Sequence, residues 1–225
     1  MSTQVKFASK GSGQVEGALA EPAGGGKAPG LVVVQEWWGI NAHMKSLCDR
    51  LAQEGFLAVA PDLFHGVLPS TKEQAAKTMG ALDKKKAVSE LGDAVAWLKT
   101  QPRCNGKVGV IGFCLGGSLT FAAARHVDGI SAAVPFYGLP EGAPNDFGGV
   151  RVPIQAHFGK KDDWAKASVA EQIQKSVRSG GGQMDLFLYD AGHAFMRVGD
   201  AEVYDDASAK VAWKRAVEFL KSHLG

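Results

Sequence analysis

The chain has 225 residues, of which 45% are hydrophobic and 21% are charged, and its formal net charge at pH 7 is +2. A chain of this length can form one domain with a substantial core, and its balanced charge favours neither nucleic acid nor an anionic membrane as a partner. No apolar run approaches the ~20 residues that span a bilayer, and the first six residues lack the basic-then-apolar order of a secretory signal.

The amino-terminal part of the chain predicts a β-hairpin followed by alternating strands and helices. Apolar and alternating segments predict strands over residues 5–8, 15–20, 31–34 and 56–60, with a Gly-Ser-Gly turn between the first two. The helical spacing of apolar residues predicts helices over residues 42–53, 72–82 and 84–99.

The carboxyl-terminal part continues this alternation. Strands are predicted over residues 107–111, 129–136, 154–158 and 184–189. Helices are predicted over residues 118–125, through Val169, Ile173 and Val177, and at the end of the chain through Val211, Trp213, Val217 and Leu220. The alternation predicts a single α/β domain over residues 1–225, with a mostly parallel sheet covered by helices on both faces. In such folds functional residues gather just after the strands.

The three cysteines, Cys48, Cys104 and Cys114, are an odd number without C-x-x-C spacing. This usage argues against a disulfide framework or a zinc knuckle and suits a reducing cytoplasm. Cys48 lies in a helical pattern and Cys104 in a turn before a strand, so both are predicted to be structural.

The segment Gly112-Phe113-Cys114-Leu115-Gly116 has the pattern of a nucleophile elbow with a thiol in place of the usual serine. An apolar strand precedes it and a helix follows it, which is the context that the motif needs, because its central residue lies on a strained strand-to-helix turn. The helix N-terminus supplies backbone N–H groups and a partial positive charge, which favour a thiolate and later an oxyanion. Cys114 is therefore the candidate nucleophile.

Two loops that follow predicted strands contain candidate partners for this thiol. Asp162 follows the strand that ends near residue 158, and His193 follows the last strand. The chain order of Cys114, Asp162 and His193 is that of an α/β-hydrolase triad. In that arrangement His193 acts as the general base, and Asp162 fixes the imidazole tautomer and stabilises its charged form.

Other roles for these residues are open at the level of sequence. Asp162 would cap a helix N-terminus in the alternative interpretation, although Asp163 is the better candidate for that cap. His157 lies within a predicted strand, where a packed and hydrogen-bonded histidine is expected. A metal site built from His157, Asp162 and His193 lacks ligand spacing and is not predicted.

A carboxylate, Glu36, follows the first apolar strand of the predicted sheet. In this topology the same loop faces the elbow and supplies the second oxyanion donor, so the backbone N–H groups of Leu115 and Trp37 are predicted to form the oxyanion hole. Glu36 is a candidate second base close to the thiol. The alternative is a surface carboxylate beside two packed tryptophans, Trp37 and Trp38.

These residues resemble the dienelactone hydrolases (carboxymethylenebutenolidases) of the α/β-hydrolase superfamily over nearly the whole chain. Besides the elbow, the resemblance rests on Gln35-Glu36, Gly39-Ile40-Asn41, Ala60-Pro61-Asp62-Leu63, Asn105-Gly106-Lys107-Val108-Gly109, Phe136-Tyr137-Gly138 and Ala191-Gly192-His193-Ala194-Phe195. It implies an α/β-hydrolase fold, a triad of Cys114, Asp162 and His193, and a Glu36 that helps to deprotonate the thiol when substrate arrives. The implied reaction opens an enol-lactone, 4-carboxymethylenebut-2-en-4-olide, to maleylacetate without a cofactor.

The resemblance also implies two cationic side chains that hold the carboxylate of the substrate. Arg197 matches one of them, and Lys72 stands at the position of the other, where it keeps the charge but lacks the planar fork of arginine. Tyr137 is a further candidate for substrate contact. Ala76 replaces an aromatic residue of the family, which suggests a wider pocket. The alternative for Arg197 is a plain surface charge.

Two classes of function are compatible with this sequence. The first is a thiol hydrolase of enol-lactones or activated esters, or the same site acting as a broad esterase or phosphotriesterase. The second is a non-enzymatic module in which Cys114 is a redox-sensing thiol. The histidine, the aspartate and the oxyanion loop favour the hydrolase, since a sensor needs neither Asp162 nor two aligned backbone donors. The hydrolase is expected to be a cytoplasmic monomer that acts in the degradation of aromatic compounds, on a small anionic substrate and without a metal.

Overall fold

The computed structural model describes residues 1–143 and 147–225, which contain an eight-stranded sheet and six helices. The strands are β1 (Thr3–Ser9), β2 (Gly13–Ala20), β3 (Ala28–Val34), β4 (Leu57–Pro61), β5 (Cys104–Phe113), β6 (Ile130–Phe136), β7 (Ile154–Gly159) and β8 (Met184–Tyr189). The helices are α1 (Ala42–Gln53), α2 (Lys72–Ala81), α3 (Lys84–Thr100), α4 (Leu115–His126), α5 (Ala167–Ser179) and α6 (Asp206–Leu224). No helix within the described ranges is long and apolar enough to cross a membrane.

The strands lie in the order β1-β2-β4-β3-β5-β6-β7-β8. β1 pairs with β2, and β2 with β4, in antiparallel fashion, whereas every other neighbouring pair is parallel. This is the α/β-hydrolase class of sheet that the sequence predicts. Because β5 to β8 are parallel neighbours, their carboxyl ends meet at one edge, where the loops after them come together.

Both faces of the sheet are buried, which explains the continuous apolar runs of β3 and of the second half of β5. Leu31 and Val33 of β3 pack into the core cluster under α1 and α6, whereas Val32 and Val34 pack into the cluster under α3 and α4. A third cluster lies between α5 and β7. α2 has a single buried residue, Ala75, and lies at the surface beside the carboxyl ends of the strands.

The predicted elements agree closely with the observed ones, and the differences have local causes. α1 has the predicted bounds, because Asn41 caps its first turn and Gly55 follows its end at a φ of 100°. α4 begins at Leu115, three residues before the predicted start. The prediction started too late because the two glycines of the first turn contribute nothing to the apolar periodicity. In α6 Val211 is exposed rather than in the core, and small residues such as Ala212 form the buried face.

The structural role predicted for two of the cysteines agrees with their burial. Cys48 and Cys104 are buried and unpaired, whereas Cys114 is only partly buried. Burial raises the pKa of the Cys48 thiol to about 12.

The first turn of α4 packs so closely on the sheet that only glycine fits at two of its positions. A Cβ atom at Gly116 would overlap the carbonyl oxygen of Val34 in β3, and one at Gly117 would overlap the carbonyl oxygen of Phe136 in β6. This close approach places the turn that contains Cys114 directly at the end of the sheet.

We predict that Gly116→Ala lowers the free energy of unfolding by about 3 kcal/mol or more, since backbone atoms must move to admit the methyl group. Gly80→Ala is the control, because Gly80 lies in exposed α2 and a Cβ there meets nothing within 4 Å. That substitution should raise the free energy of unfolding by roughly 0.5–1 kcal/mol through helix propensity. Urea unfolding measures both, and equal effects of the two substitutions would contradict the packing argument.

Candidate active site

Cys114 forms the turn between β5 and α4 and has a φ of 55° and a ψ of −115°. A side chain other than glycine seldom adopts a positive φ, so this conformation is strained and must be held by its surroundings. The N–H of Cys114 donates to the carbonyl oxygen of Phe136 at 3.1 Å, and its carbonyl oxygen accepts from the N–H of Ser118 at 3.1 Å. Gly138 packs against that same carbonyl oxygen and leaves no room for a Cβ. The turn is thereby fixed with its thiol at the edge of the sheet.

The structure brings together the three residues of the predicted triad. Asp162 lies in the loop after β7, and His193 lies in the loop after β8. The His193 Nδ1 atom is 2.7 Å from Asp162 Oδ2, and its Nε2 atom is 3.2 Å from the Cys114 Sγ atom. The imidazole therefore links a fully buried carboxylate to a partly exposed thiol.

Asp162 has a second role that the sequence prediction assigned to its neighbour. Its Oδ1 atom accepts hydrogen bonds from the backbone N–H groups of Trp164 and Ala165, both at 2.8 Å. The expectation that Asp163 caps this segment is wrong: Asp163 is exposed, and α5 begins only at Ala167. Because one oxygen is held by the loop, the other is fixed toward His193.

The electrostatic environment of His193 favours its charged form. Burial by itself lowers the pKa of this imidazole, but its hydrogen bonds to Asp162 and Cys114, together with the charges of both groups, raise the pKa to about 10. An imidazolium beside a cysteine stabilises the thiolate, which is the nucleophilic form of sulfur. The His193 ring is therefore placed to stabilise a Cys114 thiolate once the thiol proton has left.

Glu36 and Arg197 form a buried ion pair beside the thiol. Glu36 is 1% exposed, and its Oε2 atom accepts a hydrogen bond from Arg197 Nε at 2.9 Å. Asp200 contacts the same guanidinium at 3.4 Å. The two alternatives from the sequence, a surface carboxylate for Glu36 and a plain surface charge for Arg197, are both wrong. The other carboxylate oxygen of Glu36, Oε1, is buried and has no hydrogen-bond partner.

A cavity of about 520 Å³ opens at the thiol and joins these groups. Cys114, His193 and Arg197 line it, as do the candidate oxyanion donors Leu115 and Trp37. Leu115 is the first residue of α4, where a helix leaves its N–H groups without intrahelical partners. The cavity thus has a thiol, an imidazole and a cation on its wall, beside the N-terminus of α4.

The other predicted substrate contacts also line this cavity. Lys72 reaches it from the start of α2, and Tyr137 lies with its ring centroid 5.3 Å from that of His193. Burial and the charges of Glu36 and Cys114 raise the pKa of Tyr137, so its hydroxyl stays protonated. Ala76 does not line the cavity; Met79 and Gly80 provide the wall of α2 instead.

His157 is buried in the core, as its position in a predicted strand indicates. It is fully buried, and its ring nitrogens bond Tyr189 Oη at 2.8 Å and Gln155 Oε1 at 3.1 Å. Burial, with a smaller contribution from the charge of Arg215, lowers its pKa to about 3, so the ring is neutral. His157 thus supports the strand that leads to Asp162 and does not reach the cavity lining.

Sequence reasoning missed two residues at the site. Asp200 follows Arg197 by three positions, a spacing that allows contact within a turn, but nothing in the pattern marks it as a partner. Trp164, which no sequence pattern marks, lies in the loop after β7 and lines the cavity.

Comparisons with known proteins agree with this fold. A model of the dienelactone hydrolase family matches residues 15–224. The chain is 34% identical over 236 residues to a putative carboxymethylenebutenolidase of Aquifex aeolicus, with 100% of both proteins covered. It is 33% identical over 220 residues to a carboxymethylenebutenolidase of Pseudomonas putida, with 92% of each covered. The crystal structure of a putative dienelactone hydrolase from Klebsiella pneumoniae has a TM-score of 0.87 and 26% identity, with 98% of each chain covered.

The raised pKa of His193 predicts a specific dependence of stability on pH. The pKa rises from an ordinary value of 6.5 to about 10 on folding, so the folded protein binds the proton more tightly than the unfolded chain does. The resulting stabilisation is complete below pH 6.5 and is lost progressively between pH 6.5 and about pH 10.

Urea unfolding across this range should therefore show a falling free energy of unfolding in the wild type and a flatter profile in His193→Gln. His126→Gln is the matched control, because His126 is exposed at the end of α4. An identical slope in wild type and His193→Gln would show that His193 is not the group that titrates.

Proposed function

The chain belongs to the dienelactone hydrolase family, and we propose that it hydrolyses enol-lactones or activated carboxylic esters through a cysteine nucleophile. The observation that carries this proposal is the continuous chain of hydrogen bonds from Asp162 through His193 to Cys114. Family membership supports a hydrolase, and this contact supports the thiol as its reactive group.

In the proposed first step, the Cys114 thiolate attacks the carbonyl carbon of the substrate and forms a C–S bond. The carbonyl oxygen becomes an oxyanion that accepts hydrogen bonds from the N–H groups of Leu115 and Trp37. The C–O bond of the ester then breaks, and His193 donates its proton to the departing oxygen. The product of this step is an acyl-thioester on Cys114.

In the second step, water attacks the thioester with His193 as the general base. One proton of water passes to Nε2, the C–S bond breaks, and the acyl group leaves as a carboxylic acid, which releases its remaining proton to solvent. The Cys114 thiolate and the His193 imidazolium are then restored. Asp162 stabilises the imidazolium throughout, because its buried carboxylate stays 2.7 Å from Nδ1. This cycle uses no cofactor and no metal.

The buried ion pair suggests how the site recognises an anionic substrate. Arg197 lines the cavity and is shared between Glu36 and Asp200, so a substrate carboxylate can compete for its guanidinium. Glu36 would then lose its partner in a buried position, where an unpaired carboxylate takes up a proton readily. We infer that Glu36 takes the thiol proton when substrate binds, and that Lys72 and Tyr137 complete the anion site.

The family substrate, 4-carboxymethylenebut-2-en-4-olide, fits this chemistry because it combines a strained enol ester with a carboxylate. Maleylacetate is then the product, and the enzyme would act in the degradation of aromatic compounds. A redox-sensing role for Cys114 is less well supported, since it gives no reason for the Asp162–His193 bond or for the buried cation beside the thiol.

We predict that Cys114→Ala abolishes hydrolysis of 4-nitrophenyl acetate, with a loss of kcat of at least about 10³-fold. Cys48→Ala and Cys104→Ala are the matched controls, because both thiols are buried away from the cavity. Both controls should keep most of the wild-type rate in steady-state assays. Retention of the rate in Cys114→Ala would refute the assignment of the nucleophile.

The anion site is tested by comparing the carboxylate-bearing dienelactone with a neutral ester of similar size. We expect Arg197→Ala to lower kcat/KM for the dienelactone by on the order of 10- to 100-fold relative to the neutral ester, as a charged hydrogen bond is lost. Arg178→Ala is the control, since Arg178 also pairs with an aspartate but lies outside the cavity. An unchanged preference in Arg197→Ala would remove Arg197 from the anion site.

A further inference from the structure

Trp164 is 76% exposed, although it lies at the candidate active site. The ring lines the cavity that contains the thiol, where an exposed apolar surface is available to a ligand. Its backbone position is fixed, because its N–H donates to Asp162 Oδ1 at 2.8 Å. The exposed ring is therefore held at a defined place beside the triad.

Trp164 belongs to an aromatic wall that runs from the triad to the candidate oxyanion loop. Its ring centroid is 6.4 Å from that of His193 and 6.4 Å from that of Trp37, which it meets edge to face. Trp37 in turn lies 5.4 Å from Trp38, again edge to face. These rings give one side of the cavity a continuous aromatic surface.

The aromatic wall lies beside His193, the residue that is proposed to protonate the leaving group of the substrate. His193 must reach the departing oxygen with Nε2 to protonate it, so the group attached to that oxygen lies next to the imidazole. Two aromatic rings lie near this imidazole, and of these Tyr137 is fully buried whereas Trp164 is exposed. An acyl carboxylate would lie at the other end of this wall, where the Arg197 guanidinium is 5.9 Å from the ring centroid of Trp38.

We propose that Trp164 and Trp37 form a subsite for an aromatic leaving group, so that aryl esters are preferred over alkyl esters of similar reactivity. The proposal rests on the hydrolase function proposed above and specifies the substrate class of the same site. Two aromatic rings in an offset or edge-to-face arrangement attract one another more strongly than their buried area alone accounts for. Because Trp164 and Trp37 meet edge to face, a third ring can stack on one of them and meet the other edge to face.

The test compares kcat/KM for phenyl acetate and for hexafluoroisopropyl acetate, an alkyl ester whose leaving group has a similar acidity. In Trp164→Ala the ratio of the two constants should fall about tenfold, mainly through a higher KM for the phenyl ester. Trp164→Phe should restore most of the ratio. Val211→Ala, which alters an exposed apolar residue on α6, should leave it unchanged.

An equal loss for both esters in Trp164→Ala would overturn the proposal, because it would mean that Trp164 acts by holding the Asp162 loop. An unchanged ratio would overturn it as well. If the wild type hydrolyses neither ester through Cys114, the hydrolase function fails separately. The subsite is then tested by NMR: phenol, but not cyclohexanol, should shift the indole N–H signal of Trp164, and equal shifts with both alcohols would refute the subsite.

Discussion

The close approach of the first turn of α4 to the sheet is the constraint on which the candidate site depends. Gly116 and Gly117 bring that turn against the carbonyl oxygens of β3 and β6, so the preceding residue has to cross from strand to helix in a single step. Cys114 makes this step with a positive φ and is held there by backbone hydrogen bonds on both sides. The direction of the thiol is therefore set by the backbone, and one imidazole from a neighbouring loop suffices to reach it.

Much of this arrangement could be predicted because it depends on local patterns. Apolar runs and helical spacing predicted every strand and helix within a few residues, and the position of Asp162 and His193 just after strands predicted that they would meet Cys114. Two kinds of contact could not be predicted: one joins segments far apart in the chain, and the other lies within a loop. The pairing of Glu36 with Arg197 spans 161 residues and leaves no periodic signal. From the sequence alone, either Asp162 or Asp163 could accept hydrogen bonds from the N–H groups that follow. The geometry of the loop selects Asp162.

The buried pair of Glu36 and Arg197 is better explained by chemistry than by stability. Removing two charges from water costs several kcal/mol for each ion, so a buried pair adds little net stability compared with apolar residues of the same size. Here the pair also lies on a cavity wall and leaves Glu36 Oε1 without a partner. In the proposed function, an anion that enters the cavity would compete with Glu36 for the Arg197 guanidinium.

The isolation of the Cys114 sulfur has a consequence for oxidative damage. Cys104 lies at the opposite end of β5, and Cys48 is buried with a pKa raised to about 12, so neither is placed to form a disulfide with an oxidised Cys114. A sulfenic acid formed there by peroxide has no resolving thiol within the chain and can proceed to the irreversible sulfinic state. Because the other two thiols are buried, an alkylating reagent is expected to modify only Cys114 in the folded protein. The amount of reagent consumed then measures how many Cys114 thiols a preparation contains.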